Sequence, residues 1–406
     1  MKLLKKISLT FFILLISYCS LLILSFSIPQ QFIQTNAEKS IAMIEKEGLY
    51  PSINEGNTGS KRDNFTDRLM IRKTKKSLEL STIENTMSMD NYPRYWHGYQ
   101  VFLRPLLVFM SLGSIRMIYA VILFLLIGLT SYYLIKRSDI YAGIAFLITL
   151  AVGNAATFFF SMQYANLWIF TLFITLLMLI KPRLVEKSSS MFLFFFIIGS
   201  LTNFLDLLTT PLISWGIPVI LFFYLHNKYP TIKRENTQKQ FGRLLFSGIF
   251  WGIGYGLTWF AKWLIASIVL KQNVIKDAIT QILFRTEGNE DYPLQRLDML
   301  RKNISLMYPK VTLLILGATC LIFLIIAIRK RTKIRSYTDF ILFGVIALTP
   351  YIWFNILANH SQIHYWFTYR EQMITTFALL CAFAFLIPPD LREDPYNKQM
   401  HGKSDS

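Results

Sequence analysis

The sequence predicts an all-α polytopic membrane protein with about ten transmembrane helices and a large first extracytoplasmic loop that contains interfacial helices. Three observations predict this class. Apolar stretches of about 20 residues, the length that crosses a bilayer, recur along the whole chain. Hydrophobic residues make up 53% of the 406 residues, a share that excludes a soluble single domain. Short loops rich in Lys and Arg alternate with longer loops that carry acidic, His and aromatic residues.

The chain divides into six predicted segments. They are a first transmembrane helix at 1–28, an extracytoplasmic loop with amphipathic helices at 29–114, transmembrane helices 2–7 at 115–270, a second extracytoplasmic loop at 271–309, transmembrane helices 8–10 at 310–388, and a cytoplasmic tail at 389–406. The first apolar run is too long for a signal peptide, and no small-residue cleavage site precedes Pro29. The ten apolar stretches lie at roughly 7–28, 115–135, 140–158, 165–180, 191–207, 211–225, 244–270, 310–328, 338–357 and 371–388.

The net charge of +18 is distributed unevenly between the loops of the two sides. Basic residues fill the short loops on one side, whereas the short loops on the other side, near 153–164, 207–210 and 357–370, hold only Arg370. The charge therefore predicts orientation: a multi-pass protein of the cell membrane, with both termini in the cytoplasm and anionic lipid at its basic loops. We expect these basic residues to contact membrane lipids and not nucleic acid. The basic residues are Lys2, Lys5, Lys6, Lys136, Arg137, Lys181, Arg183, Lys187, Lys228, Lys233, Arg234, Lys239, Arg243, Arg329, Lys330, Arg331, Lys333, Arg335, Arg392, Lys398 and Lys403.

The first outer loop begins with an amphipathic pattern. Ile33, Ala37, Ile41 and Ile44 recur at helical spacing, and Gly48 ends the pattern. Such a helix suits the membrane surface, and it suits the outer surface of the protein itself equally well.

Three acids of this loop are candidates for catalysis. The segment DNFTDRLM places Asp63 and Asp67 four residues apart, on one face of a helix if a helix begins there. Asp90 opens the aromatic segment that leads to the second span. We expect Asp67 to matter most, then Asp63, then Asp90, because Leu69 and Met70 can hold the segment against the spans.

Basic side chains lie among the aromatic residues at the end of this loop. Tyr and Trp at this depth usually form the interfacial belt, but Arg94, His97 and Arg104 are less expected there. Arg104 sits where an apolar span begins, so its guanidinium needs an anionic partner. A structural salt bridge or snorkelling satisfies that need, and so does a substrate phosphate.

Two further groups lie at the same predicted depth. Asp206 ends the fifth span; a functional acid, an ion pair with an interior Arg or Lys262, and a helix cap all remain open. The connection between the ninth and tenth spans carries His360, His364 and Arg370. The two His have spacing that can bind a metal, although phosphate binding, proton handling and structural hydrogen bonding are also open. We expect Arg104, Asp206 and Arg370 to line one cavity that opens to the outer leaflet.

The layout of one span, a large acidic outer loop and many further spans resembles the GT-C superfamily of integral membrane glycosyltransferases, in a bacterial and mostly Gram-positive branch. The segments DNFTDRLM, RYWHGYQVFLRPLL and NHSQIHYWFTYR carry the resemblance. It implies transfer of a sugar from a polyprenyl-phosphate donor to a glycan or lipid acceptor at the outer face, through an acid of the first outer loop.

The chemistry of such a transfer assigns roles to the candidates. A carboxylate activates the acceptor hydroxyl, and cations stabilise the departing phosphate. Asp63, Asp67 and Asp90 are candidates for the first role, and Arg94, His97, Arg104, His360, His364 and Arg370 for the second. The sequence implies no certain cofactor and leaves a divalent cation open. The alternatives are a transporter or flippase of lipid-linked glycans, a polymerase or ligase of such glycans, and a non-catalytic membrane factor.

Overall fold

The computed structural model describes residues 2–228, 235–330 and 337–389, and this part of the chain is helical with no strand. Its α-helices are α1 Lys2–Ser27, α2 Gln30–Glu47, α3 Asn64–Arg72, α4 Thr82–Ser88, α5 Gln100–Phe109, α6 Leu112–Arg137, α7 Ile140–Val152, α8 Met162–Ile180, α9 Arg183–Glu186, α10 Ser188–Leu205, α11 Ile213–Lys228, α12 Thr237–Leu270, α13 Val274–Glu287, α14 Arg296–Met307, α15 Lys310–Arg329, α16 Tyr337–Ile356, α17 Ala358–Ile363, α18 Tyr365–Thr368 and α19 Met373–Phe385. The predicted tail beyond Pro389 lies outside the described residues, as do Lys233, Arg234, Arg331, Lys333 and Arg335.

Seven of these helices are long and apolar enough to cross a membrane: α1, α6, α8, α10, α12, α15 and α16. Large apolar side chains on them are exposed, for example Leu24 at 67% and Leu314 at 72%. A soluble protein rarely exposes such continuous apolar surface, and lipid is the solvent that accommodates it. The chain is therefore an all-α, multi-pass membrane protein.

Three predicted spans correspond to shorter helices. The stretches at 140–158, 211–225 and 371–388 form α7, α11 and α19, of 13, 16 and 13 residues. All but one of the residues of α11 are buried, so this helix packs inside the bundle rather than against lipid.

Helices α10 and α12 approach each other closely because of two glycines. A Cβ at Gly199 would lie 1.9 Å from the backbone oxygen of Trp251, and one at Gly254 would lie 2.1 Å from that of Phe196. Small residues allow helix backbones to meet in this way within a membrane.

We expect Gly254→Leu to destabilise the protein by about 3 kcal/mol or more, because backbone rather than a flexible side chain occupies the space. Gly252→Leu is the matched control, since nothing lies within 4 Å of a Cβ there. Thermal unfolding of both variants in detergent checks this, and equal melting temperatures would contradict the close packing.

The predicted amphipathic helix is present as α2, and it ends at Gly48, whose φ is 84°. Ile33, Ala37 and Ile44 are buried, and the amide of Asn36 donates to the carbonyl oxygen of Leu107 at 2.9 Å. The helix therefore packs on the outer surface of the protein itself.

Candidate functional site

The outer loop and the segment before α19 meet around Asp63 and Arg370. Asp63 is the N-cap of α3: its two carboxylate oxygens accept hydrogen bonds from the amide of Thr66 at 2.9 Å and from the hydroxyl of Thr66 at 2.7 Å. An Asp at an N-cap satisfies an amide that the helix leaves unpaired. This local role explains why the first acid of DNFTDRLM has a fixed orientation.

Arg370 is 1% exposed and is held by two segments of the chain, one around Gly59 and one at 153–157. Its guanidinium donates to the carbonyl oxygens of Gly153 at 3.2 Å and Gly59 at 2.8 Å, and to the hydroxyl of Thr157 at 3.0 Å. It also lies 4.5 Å from the ring centroid of Tyr164. Its Nη1 makes no well-formed hydrogen bond within the described residues, and the guanidinium also interacts with the hydroxyl of Tyr164.

Gly59 makes this approach to the outer loop feasible. Its carbonyl oxygen accepts from both Arg370 and the hydroxyl of Tyr369, each at 2.8 Å. A Cβ at this position would meet that hydroxyl at 3.0 Å. Because Gly59 precedes Asp63 by four residues, the same turn places a buried cation near a buried acid.

The electrostatics of Asp63 suit proton transfer at neutral pH. Burial raises the pKa of Asp63 to about 7, and the hydrogen bonds from Thr66 and the charge of Arg370 offset part of that effect. A carboxyl group with a pKa near the working pH is the efficient choice for a general base. Asp63 can therefore hold a proton or accept one under physiological conditions.

Asp67 lies in the same region, and its oxygens bond to other helices rather than to the first turn of α3 as those of Asp63 do. The oxygens of Asp67 accept from the amides of Met162 and Gln163 and from the guanidinium of Arg116, each at 3.2 Å, and from the hydroxyl of Ser161 at 3.3 Å. Asp67 thus caps the N-terminus of α8, which has no cap from its own Ser161. Burial raises the pKa of Asp67, while Arg116 and the amides oppose that effect.

Arg116 is a site residue that the sequence reasoning missed. It contacts Asp67, and it also donates to Glu47 at 2.9 Å and Asn64 at 2.8 Å. Burial acts to raise the pKa of Glu47, but the hydrogen bond and the charge of Arg116 outweigh this effect. The pKa of Glu47 is therefore lowered, and its carboxylate stays ionised. The available signal was the same as for Arg104: a cation at the depth where an apolar span begins.

A second buried acidic region adjoins the first. The amide of Thr209 donates to Asp206 at 2.9 Å, and the side chain of Gln163 donates to the hydroxyl of Thr209 at 2.9 Å. One oxygen of Asp206 and one of Glu371 make no well-formed hydrogen bond with the described residues. Backbone amides of the residues that follow α10 also interact with the two carboxylates, those of Leu207 and Leu208 with Asp206 and those of Leu212 and Ile213 with Glu371.

Lys262 does not pair with Asp206. Its ammonium donates to the carbonyl oxygens of Thr86 at 3.3 Å and Met87 at 3.0 Å, at the end of α4. Asp206 itself follows α10 directly and bonds to the turn after it, so it has the helix-end position that the sequence left open.

Three of the residues predicted to bind phosphate are engaged with the protein. Arg104 is buried and donates to the carbonyl oxygens of Ser25, Ile28 and Thr74. These carbonyls follow or end α1 and α3, so the negative ends of two helices supply the partner that Arg104 needs. Arg104 was predicted to line one cavity with Asp206 and Arg370. Its guanidinium is instead enclosed by these three backbone carbonyl oxygens.

Arg94 and His97 are bonded as well. Arg94 forms an ion pair with Asp277 of α13 at 2.5 Å. The ring of His97 bonds to the hydroxyl of Tyr99 at 2.7 Å and the carbonyl oxygen of Tyr92 at 3.1 Å, and burial lowers the pKa of His97 to about 3. Both side chains thus hold the closing segment of the loop in place.

Asp90 lies away from the other two acids. It is exposed, and its carboxylate pairs with Lys73 at 3.6 Å. The backbone at Asp90 has a positive φ of 51°, which belongs to a turn that also includes Met89 and Asn91.

His360 and His364 do not form a metal site with the described residues. His360 accepts from Arg285 at 2.9 Å and donates to the carbonyl oxygen of Leu208 at 2.9 Å, so both ring nitrogens are occupied. Burial lowers the pKa of His364 to about 4, and the ring stacks on Phe367. No group of three or more His, Cys, Asp or Glu in the described ranges could hold a metal ion.

Gln163 thus links Asp67 to the turn of Asp206 at the start of α8, and Arg370 lies against the neighbouring Tyr164. Asp63 is close enough to Asp67 and Arg370 for their charges to act on its pKa. Asp90, Arg94, His97 and Arg104 have partners elsewhere. Comparison of the chain with protein-family models, with curated proteins and with solved structures gives no match.

Proposed function

We propose that this chain is a membrane glycosyltransferase that moves a sugar from a polyprenyl-phosphate donor to a glycan or lipid acceptor at the outer face of the cell membrane. The observation that carries the proposal is the pair of Asp63, with a pKa of about 7, and Arg370, a buried guanidinium whose Nη1 makes no well-formed hydrogen bond within the described residues. The proposal also rests on the GT-C resemblance of the segments that supply both residues.

In this reaction the ionised carboxylate of Asp63 accepts the proton of the acceptor hydroxyl. The acceptor oxygen then forms a bond to the anomeric carbon of the sugar. The bond from that carbon to the phosphate oxygen breaks, and the electron pair leaves with the polyprenyl phosphate. Nη1 of Arg370 stabilises the charge on that phosphate. Asp67 has a positioning role, because it fixes the start of α8 beside Tyr164 and Arg370.

Exposed aromatic residues beside Asp63 provide a surface for the sugar. Tyr50 is 43% and Phe65 46% exposed, and the ring of Trp366 lies 5.2 Å from that of Tyr50. Binding sites for small molecules combine such apolar and aromatic surfaces with a few polar groups. The patch and the acid come from the same two segments, 48–65 and 357–372.

A ten-span topology with both termini in the cytoplasm belongs to the same proposal. It places the polar region outside, and it counts α7, α11 and α19 as spans in addition to the seven long helices.

In intact cells, Glu55→Cys and Glu290→Cys should react with a membrane-impermeant thiol reagent, because both positions are exposed in predicted outer loops. Gln238→Cys, at the start of α12, should react only after the membrane is permeabilised. Reaction of Gln238→Cys in intact cells would reverse the orientation and remove the site from the outer face.

A transporter or flippase of lipid-linked glycans is the second candidate, and the two buried acids Asp206 and Glu371 favour it, since buried acids serve proton-coupled transport. A polymerase or ligase would use the same donor chemistry with a longer glycan. Asp206→Asn separates the classes: it should remove proton-coupled transport but leave sugar transfer within about tenfold of the native rate.

The function is tested in membranes that contain the protein at matched expression. We expect a polyprenyl-phosphate sugar to be consumed and a glycosylated acceptor to appear, both only when the chain is present. Consumption that is independent of the chain, or donor that crosses the bilayer unchanged, would contradict sugar transfer.

A further inference from the structure

A cavity of about 680 Å³ lies at the end of α8 that is remote from the polar site. It is lined by Lys181, Arg183 and Ser190, together with Leu193, Phe194 and Ile197 of α10. Because α8 has 19 residues, its two ends are about 28 Å apart, which is close to the thickness of a bilayer core. The cavity therefore lies at the opposite membrane boundary from Asp63.

The mouth of this cavity is positively charged. Lys181 and Arg183 are exposed, and neither forms an ion pair within the described residues. The amides of the first turn of α10 lie at the same place, and no side chain caps them. Glu186 of α9 is not part of the lining. Two cations, a hydroxyl and free helix amides are the donors that a phosphate group requires.

The inner wall of the cavity is apolar. Leu193, Phe194 and Ile197 lie on one side of α10, and all three are partly exposed. An inorganic phosphate ion would make no use of this wall, whereas a phospholipid would place an acyl chain along it. Basic pockets between transmembrane helices are known to bind anionic lipid headgroups.

We propose that this cavity binds one anionic phospholipid, with the phosphate between Lys181, Arg183 and Ser190 and an acyl chain along α10. The lipid joins α8 to α10 at the boundary opposite the polar site. The proposal is independent of the glycosyltransferase reaction, and its failure would leave that reaction untouched.

The test uses the full chain, purified in detergent and titrated with phosphatidylglycerol or phosphatidylcholine while native mass spectrometry counts bound lipid. We expect Lys181→Gln with Arg183→Gln to bind phosphatidylglycerol about 30-fold more weakly, since each cation near a headgroup contributes about a fivefold effect. The control is Lys271→Gln with Lys276→Gln, which removes the same charge from exposed positions remote from the cavity and should bind like the native protein.

A second variant, Ser190→Glu, places a negative charge inside the cavity and should weaken phosphatidylglycerol binding, because the carboxylate repels the lipid phosphate. Equal affinity of the native and doubly substituted proteins would overturn the site. Displacement of the lipid by an equal concentration of inorganic phosphate would overturn the part assigned to the apolar wall. Gel filtration confirms that each variant is folded before its affinity is measured.

Discussion

Asp63→Asn should lower the rate of sugar transfer about 100- to 10,000-fold, which is the usual contribution of a general base. The fold should persist, because Asn is also a strong N-cap residue and its side-chain oxygen can accept from the amide of Thr66. The loss should therefore appear in kcat at unchanged protein yield. The matched control is Asp291→Asn, an exposed loop position with no described partner.

The pH dependence of the native rate provides an independent signature. With a pKa of about 7, Asp63 is protonated and inactive at lower pH, and it becomes ionised as the pH rises through 7. The rate should therefore rise across this range in the native protein. Asp63→Asn should lack this rise. A residual rate that follows the same pH profile would show that a different group is the base.

The second large effect concerns stability rather than rate. Asp67→Ala should lower the free energy of unfolding by about 1 to 3 kcal/mol, because Arg116 then loses one of its two carboxylate partners and buried donors are left unpaired. The amides of Met162 and Gln163 lose their acceptor as well. The remaining bonds of Arg116 to Glu47 and Asn64 should keep the effect near the lower end of that range.

Thermal unfolding of the purified protein measures this effect. Asp67→Ala should melt well below the native protein, while Asp63→Asn should melt close to it. The two acids would then divide into one that stabilises the fold and one that reacts. If Asp67→Ala kept the native melting temperature and lost all activity, Asp67 rather than Asp63 would be the catalytic acid.

The sequence was most informative about elements with strong local signals. The long apolar runs predicted the seven long helices, and the spacing of Ile33 and Ile44 predicted α2 and its end at Gly48. The two readings of α2 could not be separated, since a membrane surface and a protein surface select the same apolar face. The burial of Ile33 and Ile44 in the core and the bond from Asn36 to Leu107 distinguish them.

The site was only partly predictable for a different physical reason. A charge at membrane depth requires a partner, and this rule singled out Arg104, Asp206 and Arg370. It does not say which partner is used. Arg104 is satisfied by carbonyl oxygens at helix ends, and Asp67 by amides of α8, about 95 residues away in sequence. Such backbone partners have no residue signature.

The most direct measurement of the central claim follows the donor itself. Purified native protein and Asp63→Asn are placed in vesicles that contain a panel of polyprenyl-phosphate sugars and acceptor lipids, and mass spectrometry quantifies the free polyprenyl phosphate. We expect one donor to release polyprenyl phosphate and to yield an equal amount of glycosylated acceptor with the native protein, at least about 100-fold faster than with Asp63→Asn. Transfer of an intact donor between leaflets at equal rates with both proteins, with no polyprenyl phosphate released, would contradict the claim.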